Sequence, residues 1–147
     1  MRIFRSFLFV LAFLCLASYL APYMAAAAAA NSHYAMNGKW RIDGDRTLAE
    51  NDLARQAYEA RGPEERAAMF AGWGRRTLII DFPAKTITEE IKGARKQVLA
   101  ITSVESAPGG VRVHFENAES VLLTLDTADV LRFTMDPTSP MILVRIK

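Results

Sequence analysis

The sequence predicts an α+β fold that is mainly antiparallel β: an up-and-down meander barrel, or a strongly curved open sheet, with a short helical pair inserted after the first strand. Three observations lead there. From Arg76 onward the chain is a succession of short apolar runs of period two, separated by Pro, Gly, Asn and Asp. The connections are too short for anything but antiparallel neighbours, since a parallel pair needs a crossover of about a dozen residues or more. Before those runs the period changes, from strand-like at 39–43 to helix-like over the next thirty or so residues.

The first thirty residues are read as a targeting segment and set aside from the fold. Arg2 and Arg5 form a positive start, residues 7–20 are apolar, Pro22 and Tyr23 interrupt them, and Ala25 to Ala30 offers overlapping A-x-A sites. The expectation is a cleaved signal peptide, 1–30, and a periplasmic or secreted product. The rival reading is an uncleaved anchor, because residues 7–30 carry no charge and reach the roughly 20 residues that span a bilayer. The sole cysteine, Cys15, lies within this segment, preceded by Leu14 where lipidation wants a small residue. What remains has no thiol for a disulfide, a nucleophile or a thiolate metal site. Arg2 and Arg5 also account for the formal net charge of +2. The remainder is formally neutral and lacks the basic stripe expected of a nucleic-acid binder.

The elements follow in order. Residues 31–37 are expected to be a short flexible lead to a single domain at 38–147. Lys39 to Asp43 is a first strand with Trp40 and Ile42 on one face. Thr47 and Glu50 read as a capping box, the Thr hydroxyl accepting from the N3 amide and Glu50 reaching back. A helix is expected near 47–61. Gly62 ends it, and Pro63 opens a second near 63–72, where its missing N–H is no loss. Glu64 and Glu65 suit the positive end of that helix, and Gly72 and Gly74 close it. Seven strands follow at 77–82, 85–91, 96–104, 110–116, 120–125, 130–135 and 141–146, with turns at Pro83-Ala84, Gly93, Pro108-Gly109-Gly110, Asn117-Ala118, Thr127-Ala128-Asp129 and Asp136 to Pro140. With the first strand this makes about eight. Pairing the first strand with the last removes both open edges, so closure is the preferred architecture.

Two strings in this stretch invite a functional reading. Asp43-Gly44-Asp45-Arg46-Thr47 matches the D-x-D-x-T of haloacid-dehalogenase-type phosphatases. That chemistry belongs to a doubly wound parallel sheet with later βα units, and the downstream meander supplies none. The aspartates are read as a turn into the helix. They do not make an EF-hand either, with Leu48 where the loop needs Gly and Ala54 where it needs Glu.

Gly38-Lys39-Trp40 is a G-x-W at the start of a first strand, and the chain here resembles lipocalin-like and fatty-acid-binding-protein-like barrels. The order strand, two helices, meander is similar to that of the fatty-acid-binding proteins, although the strands are about two too few. The sequence also resembles small exported bacterial proteins with a G-x-W-x-x-D start. The resemblance implies that Trp40 packs across one end of a barrel, under an arginine from a late strand. Arg145 is placed for that role by cation–π stacking.

The remaining chemistry is sparse. His33 and His114 are far apart and form no metal cluster, so neither a metal nor a cofactor is expected. Neighbouring strand residues face opposite ways, so Glu89 and Glu90 are no facing pair. Glu89 shares its parity with Ile87 and Ile91; directed inward, it would be either a polar group of a cavity or the mark of an open sheet, and Arg132 and Arg145 pose the same question. There is no G-x-S-x-G and no nucleotide loop. The expected function is therefore a small exported non-catalytic binding protein for an apolar ligand such as a lipid, with Trp40, Tyr58, Met69, Phe70, Trp73 and Arg145 as candidate ligand-binding residues. The other class is a protein–protein factor of the cell envelope (an inhibitor, immunity or assembly protein). The membrane enters only transiently, through the signal peptide.

Overall fold

The computed structural model describes residues 33–91 and 97–147. The segment read as a signal peptide or anchor, the start of the lead and the turn at Gly93 lie outside these residues. A 3-10 turn, His33–Met36, leads into β1 (Gly38–Ile42). Three helices follow: α1 (Gly44–Glu50), α2 (Asp52–Glu59) and α3 (Pro63–Gly74). The remaining strands are β2 (Arg76–Asp81), β3 (Thr86–Ile91), β4 (Gln97–Ala107), β5 (Gly110–Phe115), β6 (Ser120–Thr127), β7 (Val130–Thr134) and β8 (Pro140–Arg145).

The eight strands pair in sequence order, all antiparallel, and β1 pairs with β8 to close an up-and-down barrel. Closure decides between the barrel and the open sheet. The alternation seen in the sequence is the reason: Ile80, Ile87, Ile101, Val111, Val113, Phe115, Val121, Leu123, Leu131, Phe133 and Leu143 join Trp40 and Ile42 in one cluster, each 8% exposed or less. An eight-stranded barrel is just wide enough for side chains such as these to fill. Glu89 stands opposite Leu78, on the inward parity, and meets Arg76 Nη1 at 3.1 Å. An ion pair at the rim thus explains an inward-facing carboxylate. Arg132 lies on the outer face of β7, between Glu50 and Asp126. The hydrogen bonds it donates to Asp126 and then to Glu50 raise its pKa above the ordinary arginine value.

Two local expectations change. The lead is tied down from His33 on. Met36 is buried, its carbonyl accepts from Trp40 Nε1 at 2.9 Å, and the Asn37 side chain accepts from Phe82 N at 2.9 Å. The helical start also moves. The N-cap is Asp43, whose Oδ1 accepts from Arg46 N at 3.1 Å, and Thr47 lies inside α1. The Thr47–Glu50 capping box does not form; Glu50 reaches Arg132 instead. Asn51 then breaks the run by capping α2, accepting from Ala54 N at 2.8 Å. The expected opening of the last helix holds: Pro63 is its first residue, and Glu65 accepts from Gly62 N at 3.3 Å.

Thr47 is where it is because of β8. Beyond Ile42, β1 no longer runs beside β8, and α1 takes its place. Asp43 N donates to Ile142 O at 2.8 Å, Ile142 N donates to Thr47 Oγ1 at 3.0 Å, and Asn51 Nδ2 donates to Pro140 O at 3.2 Å. Thr47 and Asn51, one helical turn apart, thus do for β8 what a strand would do, satisfying backbone groups that burial would otherwise leave unpaired. Ile142 points away from the barrel interior and is still only 1% exposed, covered by this helix.

Candidate functional site

The six candidate residues divide into two places. Trp40 and Arg145 are register partners on β1 and β8, and the guanidinium stacks 4.2 Å from the indole ring. Arg145 also donates from Nη1 to Asn37 O (2.8 Å), from Nη2 to Ala35 O (2.7 Å) and from Nε to Ala128 O (3.0 Å). The planar five-donor guanidinium suits such a set of carbonyls, which a lysine could not reach together. Gly38 is required beside it: its φ is +129°, and a Cβ there would lie 2.9 Å from Arg145 Nη1. Trp40 is fully buried in the core cluster, with the Arg145 guanidinium over its ring, the pairing that the G-x-W resemblance implied.

The other place is the helical insert. Tyr58, Phe70 and Trp73 form a chain of rings, with centroids 5.5 Å apart at both steps. Gly44 makes it possible, because a Cβ there would meet Phe70 Cε1 at 2.6 Å and Trp73 Cε3 at 3.0 Å. Trp73 packs against the barrel core, whereas Met69 turns aside to Arg61, whose Nη1 lies 2.9 Å from its sulfur. An open groove of about 430 Å³ is lined by Tyr58, Pro63, Arg66, Ala67 and Phe70.

Of the candidates, then, Tyr58 and Phe70 line the groove, and Trp40, Arg145, Met69 and Trp73 do not. Pro63, Arg66 and Ala67 are additions. Their spacing with Phe70, three to four residues apart along one helix, was the available signal. Arg66 is fixed by its role at the end of α2. Nε donates to Tyr58 O at 3.1 Å, Nη2 to Glu59 O at 2.7 Å, and the guanidinium lies 5.1 Å from the Tyr58 ring. Its guanidinium is thus already engaged with terminal helix carbonyls. The groove therefore offers aromatic and aliphatic contact, suited to an apolar group.

Fold and site together define the class: a small up-and-down antiparallel β-barrel of eight strands, with a Trp–Arg stack between its first and last strands and a three-helix insert. Comparison with protein-family models, with curated proteins and with solved structures finds no match to this chain.

Proposed function

We propose that this chain is a small exported, non-catalytic binding protein of lipocalin-like type, which takes an apolar ligand such as a lipid acyl chain in the groove of its helical insert. The groove carries the reading: about 430 Å³, walled by the Tyr58 and Phe70 rings and the aliphatic surface of Pro63 and Ala67. That volume falls within the roughly 300–1,000 Å³ range of small-molecule sites. The strand count supports kinship with the eight-stranded lipocalins over the fatty-acid-binding proteins. The interior positions are occupied by core side chains, which favours a ligand held on the insert.

The test is a titration of the purified protein with monomeric oleate, read by tryptophan fluorescence, with native mass spectrometry of protein taken directly from the cell envelope. We expect saturable binding that Phe70→Ala weakens by about tenfold, a loss of ~1.4 kcal/mol. A flat titration together with ligand-free native spectra would refute the lipid reading. A protein partner of the envelope is the second reading, favoured by the groove's opening to solvent on the outside of the barrel. It predicts a flat oleate titration and a complex in the native spectra that Phe70→Ala abolishes.

A further inference from the structure

The barrel has a step in it. Strand β3 pairs with β4 only from Thr86↔Ala100 to Glu89↔Gln97, and Ile101 N then donates to Lys85 O at 2.9 Å, where the β2–β3 turn begins its return. Strand β4 continues to Ala107, held from there on by β5 alone among the described residues. Its residues 102–106 are all exposed. The backbone direction on the open side can be deduced. Residues whose side chains share a face of a strand also direct their N–H and C=O to the same side. Ile101 faces inward and directs its N–H toward β3. After the bulge between Ile101 and Ser103, Val104 stands opposite the buried Val113, and Ser106 opposite the buried Val111. Val104 and Ser106 are therefore the inward residues of this part of β4, and their backbone groups point to the vacant side. Val104 is 36% exposed although it lies on the inner face, because no strand covers it among the described residues. The matching step beside β8 is filled by Thr47 and Asn51; this one has no such cover among the described residues.

We infer that the Thr102–Ala107 edge of β4 is a dimerisation site, at which a second copy of this chain adds its own β4 edge antiparallel about a two-fold axis through Val104. A vacant row of strand N–H and C=O groups is a template for another strand, and a two-fold pairing needs only that the edge complement itself. It does in this register: Val104 faces Val104, Ser103 faces Glu105, and Thr102 faces Ser106. The register centred one residue later would set Glu105 against Glu105, and like charges directly opposite destabilise a sheet. Glu105 is the one charged residue of the edge, and within its own chain it meets His114 Nε2 at 3.3 Å on the outer face. The paired segment is short, so the dimer is concentration-dependent.

The experiment is sedimentation equilibrium of the full chain from micromolar to millimolar concentration, with two variants. Val104→Lys places a charge on the edge, and Ser106→Pro removes an outward N–H that the barrel does not use. We expect a reversible monomer–dimer equilibrium in the parent chain, weakened by about tenfold or more in each variant, while far-ultraviolet circular dichroism shows the barrel still folded. Val104→Cys in a Cys15→Ser background should form a disulfide-linked dimer on mild oxidation, because the two Val104 positions would be direct cross-strand neighbours, about 5.5 Å apart at Cα. A monomer at every concentration with no cross-link would overturn the inference. So would a dimer whose association neither variant alters.

Discussion

Replacing Thr47 by Val is the sharpest probe of how the helical insert is bonded to the barrel. The two side chains have nearly the same shape, so the change opens no cavity, and their helix propensities are close. What is lost is Oγ1, the acceptor of the Ile142 N–H at 3.0 Å. Thr47 and Ile142 are each 1% exposed, so water cannot take over. A buried donor left without its acceptor costs ~1–3 kcal/mol. With a urea slope of ~1–3 kcal/mol/M for a small domain, the unfolding midpoint should fall by about 1 M. Hydrogen exchange gives the local measurement: the Ile142 amide should lose protection more than its neighbours on β8. Thr47→Ser keeps the acceptor and loses one methyl group, about 0.8 kcal/mol of burial, and should retain Ile142 protection. If Thr47→Val is within ~0.5 kcal/mol of the parent, or if Ser is the worse substitution, the hydroxyl is not standing in for a strand.

Other changes reach different parts of the molecule. Arg145→Lys should destabilise by about 2 kcal/mol or more in urea titration, since a point charge cannot serve three carbonyls and stack on Trp40 as well; a silent substitution would show that the carbonyl bonds contribute nothing. Gly44→Ala should cost ~1–3 kcal/mol and loosen the insert, because the added Cβ meets Phe70 at 2.6 Å; the near-ultraviolet circular dichroism of the Tyr58–Phe70–Trp73 group would report it. Asp136 accepts first from the Thr138 backbone N–H and then from its hydroxyl, which holds its carboxyl below the ordinary value of 3.8. The sign follows: the turn gains stability above the unfolded pKa and loses it as pH falls through the lower folded value. In an NMR titration Thr138→Ala should move the Asp136 midpoint part of the way back up, because the backbone bond remains; no movement would refute the assignment of the hydroxyl.

The strands were readable because barrel walls write their two faces into the sequence as alternation, and turns punctuate them. Closure was anticipated from the two open edges that a meander would otherwise leave, and the Trp40–Arg145 stack from the G-x-W resemblance. The helical start was not. Asp43 and Thr47 are both good N-caps by local chemistry, and what decides between them is Ile142, 95 residues away. Asn51 was hidden for the same reason, since its second partner is the carbonyl of Pro140. The far end of β4 was missed because the bulge after Ile101 reverses the parity of the segment that follows. In the candidate site, Trp40 came from the G-x-W resemblance, and the rings of the insert were picked out by size alone. Burial then separated them: Trp40 and Trp73 went to the core, and only Tyr58 and Phe70 stayed at the groove.

The Arg145 clamp has a consequence for time as well as for stability. Arg145 and Ala35, bonded to each other, are 110 residues apart in sequence, and β1 pairs with β8 across nearly the same interval. Neighbouring hairpins from β2 to β8 can zip locally, one turn after another. The seam cannot. Until β8 arrives, β1 has one strand neighbour, Trp40 lacks its stack, and the Ala35 and Asn37 carbonyls lack their donor. The largest loop-closure entropy in the molecule is therefore concentrated at one joint, and topology of this kind folds slowly. The last event on the folding pathway should be the docking of that joint, which makes the Trp40–Arg145 stack a natural reporter of completed folding.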